Sequence, residues 1–166
     1  VWVLGSVIQT QFDGQTVLVL SLKDISDRMQ REKKLQAEAE TDALTGVPNR
    51  RFFMAQAMQR IRDMAAQGKS VAFLLFDLDD FKQVNDTRGH ACGDLVLQQV
   101  ARWLNSRKRP RDVFARLGGE EFCLLLPDVN ASQAGAIGEA LRRGLDGRTQ
   151  RCPDGATLPL PSCSVG

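Results

Sequence analysis

Arg116-Leu117-Gly118-Gly119-Glu120-Glu121-Phe122 joins two runs that read as strands, Asp112 to Leu117 leading in and Phe122 to Leu126 leading out. A two-residue hairpin turn demands positive φ, which glycine takes without steric cost. Gly118-Gly119 therefore predicts a tight hairpin with Glu120 and Glu121 at its tip. Adjacent carboxylates on a bare turn repel each other and do nothing to help fold it. The segment alone leaves two readings open, a solvated hairpin end or a holder for a hard cation.

Val71 to Phe76 is an unbroken apolar run, of the length and continuity of a strand buried on both faces. It ends abruptly in Asp77-Leu78-Asp79-Asp80. Carboxylates at the end of a central strand, with a second acidic turn elsewhere, point to a divalent metal. Magnesium commonly takes one or two carboxylates together with phosphate oxygens and water, so Asp77 with Glu120 or Glu121 suffices.

Around these two stretches, Asn49 caps a predicted helix running to about Gln67 with Phe53, Ala57, Ile61 and Met64 on one face, and Gly68 ends it. A loop is predicted over Asp80 to Gly93, and Asp94 opens a helix with an apolar stripe of Val96, Val100, Trp103 and Leu104. A helix from about Ala131 to Leu145 and a last strand near Leu158 to Gly166 follow the hairpin. Strand, helix, two strands, helix, strand is the order of an α+β, ferredoxin-like βαββαβ core, here with an extra leading helix.

At 166 residues, 43% hydrophobic and 25% charged, the chain has room for one domain and an appendage. A net charge of +2 points to no polyanionic partner, nucleic acid included. No apolar stretch approaches the roughly 18 residues of a membrane span. A start at Val1 and a stop on strand-like Ser164-Val165-Gly166 read as a piece of a longer protein. Cys92, Cys123, Cys152 and Cys163, with His90 as the lone histidine, offer no zinc pattern. They are expected to be free thiols of a reduced, cytoplasmic protein.

Before the core, alternating runs near Val3 to Gln11 and Val17 to Leu22 meet at Asp13-Gly14, a hairpin that cannot build a core alone. Asp27 to Glu40 is charged, with Met29, Leu35 and Ala39 as sparse apolar positions. It reads either as a solvated connecting helix or as one that pairs with its twin in a dimer.

Five segments in order carry a family resemblance: Asp42-Ala43-Leu44-Thr45-Gly46-Val47-Pro48-Asn49-Arg50-Arg51, Asp77 to Lys82, Asn85-Asp86-Thr87-Arg88-Gly89-His90, Gly93-Asp94 and Gly118 to Phe122. Together they resemble the GGDEF domain, the catalytic module of bacterial diguanylate cyclases, with the signature in its GGEEF form. The resemblance implies a GGDEF domain over residues 42–166; separately, the first hairpin followed by Lys23-Asp24-Ile25-Ser26-Asp27-Arg28 resembles the last two strands and exit motif of a PAS-like sensor domain over 1–26, with a linker helix over 27–41. The chain departs from the GGDEF family pattern at Arg88, where an aromatic is usual, and it lacks the hairpin, basic helix and strand that follow Ser-Val-Gly in the family. The piece itself is accordingly expected to be weakly active or inactive.

The resemblance implies condensation of two GTP into cyclic di-GMP and two pyrophosphates by a two-fold homodimer. Asp77 and Glu120 match the carboxylates that hold two magnesium or manganese ions, with the Leu78 carbonyl as a further ligand. Glu121 matches a residue near the metal that helps deprotonate the attacking hydroxyl. Asp80, Phe81 and Lys82 match the loop around the phosphates, with Gly118 and Gly119 beside the substrate. Asn85 and Asp94 match the guanine readers, although Asp94 as a helix cap and Asn85-Asp86 as a turn are also open. Arg109-Pro110-Arg111-Asp112, with five residues between it and Gly118, matches an R-x-x-D site through which cyclic di-GMP inhibits; a merely basic loop is the alternative. A regulatory module that binds GTP or cyclic di-GMP without turnover is the competing function.

Overall fold

The computed structural model describes residues 1–166, residue 37 by its backbone alone. It divides into two units, Val1–Ala39 and Glu40–Gly166. In the first, β1 (Val3–Phe12) pairs antiparallel with β2 (Gln15–Asp24). Asp13 and Gly14 both take positive φ, 49° and 75°, the conformation a type I′ turn requires. The helix α1 (Ser26–Glu40) starts where the Ser26 N–H donates to the Asp24 carboxylate at 2.8 Å. Its Lys34–Glu38 pair, 3.9 Å apart and exposed, adds a few tenths of a kcal/mol at about the level of such i,i+4 pairs. Leu4, Ile8, Phe12, Leu18, Leu20 and Leu22 all stand exposed, so the hairpin encloses no core.

The second unit runs α2 (Arg50–Ala66), β3 (Val71–Leu78), α3 (Phe81–Arg88), α4 (His90–Arg107), β4 (Val113–Gly118), β5 (Glu121–Pro127), α5 (Ala131–Arg143), β6 (Thr149–Arg151), β7 (Thr157–Pro159) and β8 (Cys163–Val165). Its main sheet has the order β4-β5-β3-β8 with every neighbour antiparallel, which is the ferredoxin-like arrangement. The period-2 alternation of the strands decides which layer each side chain joins. Leu74, Phe76, Leu78, Phe122, Leu124 and Leu126 face Val96, Val100 and Leu104 of α4 and Ala134 and Leu141 of α5. Ala115, Cys123 and Leu125 point the other way, onto Phe53 and Ala57 of α2. Helix α2 is capped by Asn49, whose side chain accepts from the Phe52 N–H at 3.0 Å, and α5 by a reciprocal Asn130–Gln133 capping box.

Several expectations are corrected. β3 is not buried on both faces: Phe73 and Leu75 remain 47% and 41% exposed, because α2 lies over β4 and β5 more than over β3. Asp77 and Leu78 belong to the strand. The segment read as a loop after Asp80 folds into α3, since Phe81 and Val84, three apart on one helix face, reach the core. Helix α4 opens at His90 behind Gly89, whose φ is 77°, so Asp94 lies a turn inside and caps nothing. The single last strand is instead two, β7 paired with β6 and then β8, parted at Leu160-Pro161-Ser162, where Pro161 has no N–H to give a ladder.

The four cysteines are not all free. Cys92 and Cys152, 60 residues apart in sequence, form a disulfide with Cα atoms 5.1 Å apart. The fold juxtaposes the start of α4 and the end of β6, a proximity that cysteine spacing alone does not reveal. Cys123 and Cys163 are buried thiols, and burial pushes each up to about 11. Among the described residues no helix is long and apolar enough to cross a membrane.

Candidate active site

The ladder between β3 and β5 ends in the pairs Phe76↔Phe122 and Asp77↔Glu121. Phe76 and Phe122 are fully buried and hold the register, so Asp77 and Glu121 stand opposite each other on the same face. Partners of this kind have Cβ atoms about 4.5–5.5 Å apart, and like charges there are destabilising. Asp77 and Glu121 are both exposed, Glu120 is half-buried, and among the described residues none of the three has an ion-pair partner. This is an arrangement that a cation would relieve.

The glycine turn is displaced by one residue from its predicted place. Gly118 pairs with Glu121, and the turn residues are Gly119 and Glu120, with a register shift between Arg116 and Gly118. Glu121 is therefore the first residue of β5 and not part of the tip. Gly118 and Gly119 carry φ of 146° and 52°, positions that side chains rarely adopt. A bulge of this type re-aims the residues beyond it, here Glu120.

Arg116 holds the turn. Its Nε and Nη2 donate to the Gly119 carbonyl at 3.0 and 2.8 Å, and its Nη1 donates to Asp42 Oδ1 at 2.9 Å. Asp42 also accepts from the Thr45 hydroxyl at 2.6 Å and the Thr45 N–H at 2.9 Å. Partial burial works against the charged form of Asp42, but the Thr45 hydroxyl and the Arg116 guanidinium outweigh it and hold the carboxyl below the usual range. The Arg116 N–H donates to the Pro48 carbonyl at 3.0 Å, so the whole Asp42–Asn49 segment is fastened to the signature hairpin. From the sequence alone, Arg116 carries no assigned role. The signal available was its three-residue spacing from Gly119, the reach of a guanidinium folded back over a turn.

On the other side of β3, Leu78 is buried and the chain turns at Asp80, which takes φ 53° and makes no side-chain capping bond to α3. Phe81 is buried and Lys82 exposed. Asn85 packs on Gly93 so closely that a Cβ at residue 93 would collide with its amide oxygen. Helices α3 and α4 thus bring Asn85 beside Gly93-Asp94, with Asp94 exposed. Arg109 and Asp112 lie at the opposite end of β4 from the glycine turn and bind each other: Nη2 to Oδ1 at 2.7 Å, the Arg109 N–H to Oδ2 at 2.8 Å. Asp112 is 6% exposed, so in this state its carboxylate faces its own arginine and not solvent.

Among the described residues no group of three His, Cys, Asp or Glu side chains is arranged to hold a metal ion. Two opposed carboxylates with a neighbouring carbonyl nevertheless match the donor set of magnesium, which relies on substrate oxygens and water for the rest.

Comparison with known proteins bears on this geometry. Residues 39–166 match the family described as diguanylate cyclase, GGDEF domain. The chain is 40% identical over 123 residues to the probable diguanylate cyclase DgcE of Escherichia coli K12, covering 74% of this chain and 11% of that protein. It is 33% identical over 165 residues to the probable diguanylate cyclase DgcT of the same strain, covering 99% of this chain and 35% of that protein. The chain therefore spans about a tenth and about a third of the lengths of these curated relatives. The solved GGDEF domain of DgcB from Caulobacter crescentus, in complex with c-di-GMP, superposes with a TM-score of 0.73 at 31% identity, covering 77% of this chain and 73% of that one.

Proposed function

This chain belongs to the GGDEF diguanylate cyclase family, and from that premise we propose that the protein condenses two GTP into cyclic di-GMP with release of two pyrophosphates. The observation that carries the proposal is the pair Asp77 and Glu121, opposed at the end of β3 and β5 beside the Gly119-Glu120 turn. Asp77, Glu120 and the Leu78 carbonyl would hold magnesium, with Glu121 next to it. When bound, such ions supply positive charge that offsets the phosphates and acidifies a bound hydroxyl.

The protein's own part is to place and orient. Phe81 and Lys82 stand at the start of α3, where Asp80 leaves the first-turn N–H groups uncapped, a natural seat for phosphate oxygens. Lys82 adds a point charge. Asn85 and Asp94 take the guanine: a carboxylate accepts from N1–H and N2–H, which adenine cannot offer. Glu121 accepts the proton of the attacking 3′-hydroxyl. Because the product is itself two-fold symmetric, two such domains facing each other across a dyad form the simplest catalytic unit.

Residues 1–26 are proposed to end a PAS-like sensor domain, and residues 27–41 to connect it. The apolar side chains exposed on both faces of the β1–β2 hairpin support that reading. The catalytic unit works in the cytoplasm, where GTP is found. Incubating the full-length protein with GTP and magnesium and resolving the products by chromatography tests the function. GTP binding without cyclic di-GMP formation would support the non-catalytic module instead.

Gly93→Ala is expected to push Asn85 off the guanine and weaken GTP binding by about tenfold, the loss of roughly one good hydrogen bond, with an unchanged circular dichroism spectrum. Calorimetric titration with GTP checks it; unaltered affinity would mean that Asn85 only shapes the turn. Product inhibition is proposed at Arg109 and Asp112, which must first let go of each other. Arg109→Ala is expected to raise the half-inhibitory cyclic di-GMP concentration at least about tenfold while the KM for GTP stays within about twofold, as a guanidinium remote from the substrate implies. An inhibition curve identical to wild type would exclude the site.

A further inference from the structure

Asp79 lies between the carboxylate end of β3 and the turn into α3, and every polar group it has toward β8 is engaged. The Ser162 hydroxyl donates to Oδ2 at 2.7 Å, the Ser164 hydroxyl donates to Oδ1 at 2.7 Å, and the Asp79 N–H donates to the Ser162 carbonyl at 2.9 Å. The ladder pairs just before it, Asp77↔Ser164 and Leu78↔Cys163, continue the same seam. One residue is thus riveted to Ser162, just before β8, by its backbone and one carboxylate oxygen, and to Ser164 of β8 by the other. The next residue, Asp80, holds φ 53°, a left-handed conformation that residues with a side chain seldom adopt and that aspartate tolerates better than most. Strain of this kind persists only where the surroundings over-determine it, and it gathers where geometry serves a site. The Gln83 N–H closes the turn onto the Asp80 carbonyl at 2.9 Å.

We propose that Asp79 is a positioning residue: by clamping Ser162 and Ser164 it fixes the left-handed turn at Asp80, and so the Leu78 carbonyl and the Phe81 and Lys82 N–H groups that meet the triphosphate. The proposal deepens the reading of this site as a GTP site and rests on it. Asp79 touches no reacting atom; it acts through the turn.

The test uses the full-length protein in four forms: Asp79→Ala, Asp79→Asn, the pair Ser162→Ala with Ser164→Ala, and all three alanine changes together. GTP affinity is measured calorimetrically with magnesium and again in EDTA, and exchange of the Gln83 amide is followed in the absence of nucleotide. Asp79→Ala is expected to weaken GTP about tenfold in both buffers, and the serine pair should do the same. The triple variant should be no worse than either, because all three act through one clamp. Asp79→Asn should restore affinity to within about threefold, since its amide still offers an acceptor to one hydroxyl and a donor to the other. Faster Gln83 exchange is expected in every alanine form. Serine variants that bind like wild type while Asp79→Ala does not would overturn the proposal in favour of direct contact by Asp79. Wild-type Gln83 exchange in Asp79→Ala would overturn it whatever the nucleotide does. If the unmodified protein fails to bind GTP at all, the functional reading is what has failed, and the exchange measurement still decides whether Asp79 holds the turn.

Discussion

Asp77→Asn and Glu120→Gln in the full-length protein are each expected to cut cyclic di-GMP formation by more than about a hundredfold while leaving the fold intact. Removing a partner that merely orients a metal ligand typically costs about 10–100-fold, and removing the ligand's charge should exceed that. The stability arm points the other way for Asp77. Because Asp77 stands opposite Glu121 in the ladder, neutralising it removes a like-charge pair and should leave the metal-free protein as stable or slightly more so, by about 0.2–1 kcal/mol. Activity lost with melting temperature held or raised is a signature that a damaged fold cannot produce. Near-normal turnover in either variant would show that the metal assignment is mistaken.

The ferredoxin-like order was legible because it rests on signals the chain states locally. Val71 to Phe76 is a continuous apolar run, Asn49 is a cap residue ahead of a periodic helix, and Asp13-Gly14 and Gly118-Gly119 mark turns. The paired carboxylates could be found because acidic side chains at a strand end and at a turn have no folding purpose of their own. What escaped depended on contacts across the fold. Whether Phe73 and Leu75 are covered is decided by where α2 settles. Helix α3 is stabilised by Phe81 entering the core formed with Phe76 and Val96, not by caps or composition within its eight residues. The Cys92–Cys152 bond and the grip of Ser162 and Ser164 on Asp79 join segments 60 and more residues apart. The one-residue slip of the glycine turn has a local cause: the bulge between Arg116 and Gly118 consumes a residue that simple alternation assigns to the ladder.

Arg116→Met is expected to destabilise the domain by about 2 kcal/mol and to lower activity with it, although Arg116 is assigned no contact with substrate. Methionine keeps most of the apolar stem and removes the guanidinium. Two bonds to the Gly119 carbonyl are lost, and the Asp42 carboxylate is left with Thr45 alone. The side chains of Arg116 and Asp42 are only 11% and 24% exposed, so water replaces little of what is removed. For a domain of this size the loss corresponds to a melting temperature lower by roughly 6–10 °C. The sign of its pH dependence follows from Asp42, whose carboxyl is held below the usual carboxylate range because Thr45 and Arg116 outweigh burial. A depressed folded-state pKa gives stability that is fully present above the unfolded value and is lost as pH falls through the folded one. The gap between wild type and Arg116→Met should therefore hold steady from neutral pH down to about 5 and narrow progressively at lower pH, toward the share that the Gly119 carbonyl supplies. Asp42→Asn should cost less than Arg116→Met, and combining the two should be markedly less than additive, since both break the same link. Melting curves across pH for the three variants measure all of this. A gap that stays constant down to pH about 2 would mean that Arg116 stabilises the hairpin through the Gly119 carbonyl alone, and that its ion pair with Asp42 contributes nothing to holding Glu120 in place.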